Sequence, residues 1–349
     1  MHLPSRTFNE TYEQDMAIFR TRLQWILLSA GIVLGLCIPF FTGTYMLTII
    51  ITTMTIIIAT LGIQILTGYG GQLSVGHSAF VAVGAYTSAI LVSSSGLSFW
   101  VALPIAGVAA GLVGLIVGLT SIRLQGFYLI ISTLAAQFII MYVIVHWTSA
   151  TGGSFGMPAP APKLAGIVLG TPHSYFYVVF VALLIATYVA KNIVRTNVGR
   201  AFIAIRDNDL AAEVMGVNLT AYKLLAFFIG CAFAGVGGAL AAHARGVISP
   251  DNFTLIQSFW YLAYLIIGGL GTITGAFFGV IFIAILSNGL SAMLASLSTI
   301  FPGATSLLAP LMLFILGLVI VLFLTFEPRG LAHRWEIFKA YYRLWPFSH

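Results

Sequence analysis

Charged residues are scarce in this sequence. Aspartate, glutamate, lysine and arginine make up 7% of its 349 residues, whereas 60% are hydrophobic and the mean hydropathy is +1.04. A soluble protein of this size needs charge on roughly a quarter of its residues. Several uncharged apolar runs reach about 20 residues, the length of a helix that crosses ~30 Å of hydrocarbon. The composition therefore indicates a helical membrane protein.

Cysteine and nucleotide-binding motifs are also lacking. The two cysteines, Cys37 and Cys231, lie in apolar runs, which predicts two small buried side chains and excludes a disulfide framework or a cysteine zinc site. No Gly-Lys pair occurs in the chain, so it has no P-loop. No HExxH motif, aspartate pair or Ser/His arrangement favours catalysis. We expect no enzyme activity, metal or cofactor in this chain.

Aspartate, glutamate, lysine and arginine are missing from the interiors of the apolar runs. Ion-coupled carriers commonly keep carboxylates or histidines there, so this chain has no obvious energy source of its own. His146 and His243 fall at the ends of runs, where we expect polar groups at the membrane surface. The net charge of +6 comes from residues that flank the runs, so we expect no nucleic-acid partner.

The apolar runs predict an all-α, polytopic membrane protein with about ten transmembrane or re-entrant helices. The third and the eighth are short enough to be re-entrant. The predicted spans are 23–42, 45–66, 78–94, 99–121, 126–147, 174–193, 223–243, 255–271, 273–295 and 306–325.

The positive charges predict the orientation, because lysine and arginine concentrate in cytoplasmic loops. If the N-terminus is cytoplasmic, the inner segments hold thirteen of these residues and the outer segments hold two, Lys163 and Arg245. Both termini are therefore expected in the cytoplasm. The chain then divides into a cytoplasmic N-terminal segment at 1–22, a transmembrane domain at 23–326 with a cytoplasmic loop at 191–223, and a basic amphipathic tail at 327–349.

Two glycine-rich stretches interrupt the apolar runs: GYGGQLSVGH at 68–77 and IIGGLGT at 266–272. Irregular backbone at membrane depth is tolerated only where protein or a watery cavity covers it, and its freed amides and carbonyls can hydrogen-bond a zwitterion. We predict that the two breaks approach each other and line or gate a substrate pathway, with tight helix packing as the alternative. The candidate pathway residues are Gly70, Gly71, Ser74, His77, Gly268, Gly269 and Gly271.

Charge is concentrated at 191–223, which holds eight of the Lys, Arg, Asp and Glu residues. Asn208 and Asp209 are capping candidates for a short helix over 210–215 that Gly216 would end. A few apolar anchors with a charged rim are typical of a docking surface. The candidate docking residues are Arg206 and Asp209 on the rim, the anchors Leu210, Val214 and Met215, Ala211 and Ala212 for close approach of a partner, and Gly216.

Several motifs between residues 61 and 331 resemble one family of permeases. They are LGIQILTGYGGQLSVGHSAFVAVGAYTSAIL, GFYLIISTLAAQFII followed by WTSATGGSFGMPAP, VGRAFIAIRDNDLAAEVMGVNLTAYKLLAFFIGCAFAGVGGAL, and SFWYLAYLIIGGLGTITGAFFGV followed by PRGL. Their order and spacing are similar to those of the LivM-type permease subunit of branched-chain amino acid ABC importers.

The resemblance implies a multi-pass protein of the bacterial inner membrane that moves branched-chain or related neutral amino acids inward. It implies a LivH-type permease partner, two ATPase subunits of the LivG and LivF types that use ATP, and an extracytoplasmic binding protein. It also implies that 191–223 is the ATPase-coupling loop, since Leu210, Ala211, Ala212 and Gly216 match the EAA-xxx-G pattern except for leucine at its first position.

Other functions stay open at this point. The matching subunits of the sister urea and short-amide importers tend to carry WGY and GGY where this chain has TGYGG and GAY. A self-sufficient channel for a small neutral solute and a purely structural scaffold are further alternatives. The outer segment 147–166, with Pro158, Pro160 and Pro162, is expected to be an extended strand that helps to receive the binding protein, or a plain linker.

Overall fold

The computed structural model describes residues 22–124, 126–164, 167–300, 308–327 and 329–344. These residues are predominantly α-helical, with four two-residue strands. The predicted N-terminal segment 1–22 lies outside the described residues except for its last residue, and the final five residues of the predicted tail also lie outside them.

Each predicted span coincides with a helix in the described part of the chain. The remaining helices are short or lie at the C-terminal end. In chain order the helices are α1 (Arg22–Phe41), α2 (Thr44–Ile63), α3 (His77–Ser93), α4 (Phe99–Ser121), α5 (Phe127–His146), α6 (Thr148–Thr151), α7 (Pro172–Arg195), α8 (Asn197–Asp207), α9 (Asp209–Val214), α10 (Leu219–Arg245), α11 (Leu255–Gly268), α12 (Ile273–Ile300), α13 (Leu308–Phe326) and α14 (Gly330–Leu344).

Within the described residues, six helical stretches are long and apolar enough to cross a membrane. They are Thr44–Tyr69, Phe99–Ser121, Phe127–His146, Pro172–Arg195, Leu219–Arg245 and Ile273–Met293. The chain is a multi-pass membrane protein. α11 has 14 residues and, at 1.5 Å per residue, is only about 21 Å long, shorter than the hydrocarbon layer.

The core lies around α10, which packs against α2, α3 and α4. Glycines bring these backbones into direct contact: a Cβ built on Gly84 would lie 2.2 Å from Cα of Gly235, and one on Gly62 would lie 2.2 Å from the carbonyl oxygen of Gly230. Close approach of this kind stabilises helix pairs in lipid through van der Waals packing. Cys231 is buried in this core, as expected, whereas Cys37 on α1 is only half-buried.

The outer segment contains short extended strands that are paired with neighbouring backbone. After α6, strand β1 (Met157–Pro158) pairs antiparallel with β4 (Val247–Ile248), which follows α10 directly. Strands β2 (Lys163–Leu164) and β3 (Ile167–Val168) form a second antiparallel pair. Backbone pairing fixes the segment to the end of α10, so it is not a plain linker; that it helps to receive a binding protein stays a prediction.

Candidate functional site

The first glycine-rich break begins as a π-helix. α2 continues into a π-helical turn at Gln64–Tyr69, and α3 begins only at His77. The amide of Gly70 bonds the carbonyl of Ile65, and the hydroxyl of Thr67 donates to the carbonyl of Gln72, so the π-helical turn is tied to the residues that follow it. Short π-helical segments are rare in proteins, and those that occur lie frequently at functional sites.

The second break separates α11 from α12. Gly269 has φ of 112° and Gly271 has φ of 73°, conformations that L side chains rarely adopt. The hydroxyl of Thr272 then caps α12 by accepting the amide of Gly275 over 3.2 Å. These two glycines and the cap turn the chain within four residues.

The two breaks meet. Nε2 of Gln64 donates to the carbonyl oxygen of Gly269 over 2.9 Å and to that of Thr272 over 2.6 Å. A Cβ on Gly68 would lie 2.7 Å from the backbone nitrogen of Gly271, so the backbones are in contact. The structure brings the breaks together; that they line or gate a pathway stays a prediction.

Arg206, at the end of α8, reaches into the same junction. Its Nη1 donates to the carbonyl oxygen of Gly68 over 2.9 Å. Its Nε and Nη2 lie 2.9 and 2.8 Å from Oδ1 of Asp207. The sequence predicts Arg206 as part of a rim around a docking surface, but its guanidinium points to the first break.

Ser74 and His77 lie in the packed interior. Nε2 of His77 is 2.9 Å from the carbonyl oxygen of Ala59, and its ring makes an edge contact with Tyr261 at a centroid distance of 5.2 Å. Nδ1 of His77 and Oγ of Ser74 have no hydrogen-bond partner within the described part of the chain. These buried polar atoms are compatible with a polar pathway.

Gly268 has a packing role in this structure. A Cβ on Gly268 would lie 1.9 Å from the carbonyl oxygen of Gly275, so α11 and α12 approach there only because the side chain is absent. This observation favours the alternative of tight helix packing at that position.

A cavity of about 380 Å³ opens beside the first break. Of the seven candidate pathway residues, Gly70 and Gly71 line it. Its other walls combine charged, polar and apolar groups: Gln72, Ser121, Leu124, Gly126, Leu129, Ile205, Arg206, Asp207, Asn208, Asp209 and Lys223.

The short helix α9 forms where the capping residues predict it. The side chain of Asn208 accepts the amide of Ala211 over 3.0 Å at the N-terminus. Gly216, with φ of 86°, ends the helix, and the amide of Val217 bonds the carbonyl of Ala212 over 3.0 Å. α8 and α9 thus form a compact helical pair between α7 and α10.

The two sides of α9 differ. Leu210, Val214 and Met215 are largely exposed to solvent, and the exposed fraction of Val214 is 87%. Ala211 is also exposed, whereas Ala212 is buried at 4%. The expectation that both alanines admit a partner was therefore wrong for Ala212, which packs against its own subunit. Asp209 lies 3.8 Å from Nζ of Lys223 and so connects α9 with α10.

A family model described as the permease component of the branched-chain amino acid transport system matches residues 45–328. The chain belongs to this family. The high-affinity branched-chain amino acid permease protein LivM of Salmonella typhimurium is 34% identical over 273 residues, covering 71% of this chain and 64% of the relative. LivM of Escherichia coli gives the same figures. The chain therefore spans less than two thirds of the length of these relatives.

A probable branched-chain amino acid transport permease protein LivH of Methanocaldococcus jannaschii is similar at a lower level. It is 26% identical over 232 residues, covering 63% of this chain and 72% of that protein. No solved structure matches this permease.

Sequence reasoning missed two glutamines that connect helices of the permease. Gln64 joins the two breaks. Gln137 on α5 accepts the amide of Ala79 over 2.8 Å and donates to the carbonyl of Phe253 over 2.9 Å. Each is a lone amide side chain in a long apolar run. Such a group is costly in lipid unless its hydrogen bonds are satisfied by other helices, and this signal could have identified both.

The expectation for His243 was wrong. The residue is 4% exposed; Nδ1 lies 2.7 Å from the carbonyl oxygen of Pro160 and Nε2 lies 2.8 Å from Oγ of Ser88. The outer segment of the permease folds over it through the β1–β4 pair. His146, by contrast, is exposed and stacks on Tyr142 of its own helix.

Proposed function

We propose that this chain is one permease subunit of an ATP-binding-cassette importer that moves branched-chain or related neutral amino acids inward across a bacterial inner membrane. The observation that carries the proposal is the match to the branched-chain permease family over residues 45–328, with 34% identity to LivM. The chain itself is not an enzyme and holds no cofactor. A LivH-type permease, two ATPases of the LivG and LivF types that consume ATP, and an extracytoplasmic binding protein complete the importer.

Ten helices embedded in the membrane and two cytoplasmic termini are part of this proposal. The six long apolar stretches and the shorter helices at the other predicted spans support it. The distribution of Lys and Arg supports the orientation. A single cysteine in place of Asn208 tests it: an impermeant thiol reagent should label inverted vesicles, and labelling from outside intact cells would contradict the orientation.

The exposed face of α9 is the proposed contact with an ATPase. Leu210, Val214 and Met215 put three apolar side chains on one short helix surrounded by charge. Such a cluster on a polar surface is typical of a binding site. Val214→Asp should leave the permease in the membrane and release the ATPase subunits. Normal co-purification and normal uptake in this variant would contradict the docking site.

ATP-dependent uptake of leucine tests the function directly. The permease, its LivH-type partner, the ATPases and the binding protein are reconstituted in liposomes, and labelled leucine and urea are offered in turn. We expect leucine uptake only with ATP. Uptake of urea instead would favour the sister systems, and solute flux through the isolated chain without ATP would favour a self-sufficient channel.

The junction of the two breaks is the proposed control point of the substrate pathway. It is supported by the contacts of Gln64 with the second break and by the adjoining cavity. A change in the distance between the two breaks would expose or cover the backbone amides and carbonyls at their contact.

A further inference from the structure

One arginine connects the docking helices with both glycine-rich breaks. We propose that Arg206 is the positioning residue that transmits movement of the α8–α9 pair to the junction of the breaks. This inference rests on the proposed function, since it assumes that a partner moves α9. Arg206 would be the physical link between the α8–α9 pair, which moves, and the junction of the breaks, which responds.

At the first break, the contact is both polar and steric. Nη1 of Arg206 donates to the carbonyl oxygen of Gly68, inside the π-helical turn. A Cβ on Gly71 would lie 2.9 Å from Cγ of Arg206 and 3.1 Å from its Cα. The first break thus contacts Arg206 from its Cα to its guanidinium. A side chain at position 71 would push the break and the arginine apart.

At the second break, Gly271 faces the same guanidinium. A Cβ on Gly271 would lie 2.9 Å from Nη1 of Arg206. Gln64 already holds this break to the π-helical turn through its bonds to Gly269 and Thr272. A displacement of the guanidinium therefore reaches both breaks together.

At the other end, Arg206 is fixed to the docking pair. Asp207 holds Nε and Nη2 of the guanidinium, and Asn208, the next residue, caps α9. Buried Ala212 seats α9 against its own subunit. A push on α9 consequently moves the backbone that carries Arg206, because only Asp207 and Asn208 separate the arginine from α9.

The chemistry of arginine suits this task. Hydrogen bonds from a charged donor are stronger than neutral ones, and the planar fork of arginine can bond a carbonyl and a carboxylate at once. A lysine has a single nitrogen and could reach Gly68 or Asp207 but would not hold both in this geometry. A methionine of similar length keeps the packing and removes both bonds.

The test compares Arg206→Met and Arg206→Lys in the assembled importer. We expect both variants to retain the ATPase subunits and ATP hydrolysis. Leucine uptake per ATP should fall by about tenfold or more in Arg206→Met, the fold-change expected on losing a charged hydrogen bond, and less in Arg206→Lys. Arg200→Met is the control, because exposed Arg200 lies on the same helix and bonds Asn197 of the same turn; its uptake per ATP should match the wild type.

Amide hydrogen exchange on the purified chain tests the link without any partner. We expect the amides of residues 70–72 to exchange faster in Arg206→Met than in the wild type and in Arg200→Met. Unchanged exchange together with a wild-type uptake ratio would overturn the proposal. Loss of the ATPases from the Arg206→Met complex would also overturn it, since Arg206 would then be a docking residue. If the wild-type importer moves no amino acid, the proposed function fails, while the exchange experiment still decides the link.

Discussion

Nε2 of Gln64 donates a hydrogen bond of 2.9 Å to the carbonyl oxygen of Gly269, although 205 residues separate the two in sequence. The bond joins a π-helical turn to the residue with the most positive φ among the glycines of the second break. Buried backbone carbonyls at a helix end need donors, and in a chain surrounded by lipid these must come from the protein. The amide of Gln64 supplies two such bonds at once.

Gln64→Leu should therefore destabilise the permease. The half-buried carbonyl of Thr272 loses the donor Gln64, and that of Gly269 keeps only the bond from the Thr272 hydroxyl, at a cost of about 1–3 kcal/mol. The measurement is the midpoint of thermal unfolding in detergent. Thr52→Val on the same helix is the control, because the hydroxyl of Thr52 bonds only Thr48 one turn away. An equal midpoint for both variants would contradict the role of Gln64.

Gly71→Ala should impair the permease more than Gly96→Ala. Both glycines have similar positive φ, 68° and 64°, so both substitutions carry a backbone cost of about 1 kcal/mol. Only at Gly71 does the new Cβ meet a neighbour, Arg206, whereas nothing lies within 4 Å at Gly96. Unfolding midpoints and uptake are measured for the pair. If the two variants behave alike, the contact with Arg206 has no energetic importance.

Ala211→Asp and Ala212→Asp should differ in their effect on stability, because the two alanines lie on different sides of α9. A carboxylate at buried position 212 has no partner in this packing and should cost at least about 2 kcal/mol, whereas exposed position 211 accepts it. We expect reduced yield and a lower unfolding midpoint for Ala212→Asp alone. The reverse order of stability would mean that α9 packs through its other side.

His243→Ala should loosen the outer segment. The carbonyl of Pro160 and the hydroxyl of Ser88 lose a buried partner, which costs about 1 kcal/mol or more and should speed exchange of the nearby Ala159 amide by about fivefold or more. This amide bonds the carbonyl of Gly246 over 2.8 Å. His146→Ala, on an exposed histidine that contacts its own helix, should leave the exchange unchanged. Equal exchange in both variants would remove His243 from the support of the segment.

The helices could be predicted from the sequence because the bilayer imposes a length on every apolar run. The breaks could be placed because Gly70, Gly71, Gly269 and Gly271 interrupt those runs locally. The limits of α9 followed from Asn208 and Gly216, whose capping preferences act within one turn.

The connections between these elements could not be predicted. Gln64 and Gly269 are 205 residues apart, and Arg206 and Gly68 are 138 apart. No local preference encodes such pairs. The sequence also could not show which side of α9 packs against its own subunit, since positions 211 and 212 are both alanine and only the tertiary packing distinguishes them. The fold of the outer segment depends on β4, which comes about 90 residues after β1 and carries no proline signal of its own.

α10 begins three residues after Gly216 and ends where β4 starts. Its 27 residues form an uninterrupted rod of about 40 Å, and β1 of the outer segment is hydrogen-bonded to the strand that continues it. The α8–α9 pair and the outer segment are therefore connected to opposite ends of one long helix, through Gly216 at one end and Gly246 at the other. Because both are joined to α10, a displacement of this helix along its axis would move the α8–α9 pair and the outer segment together.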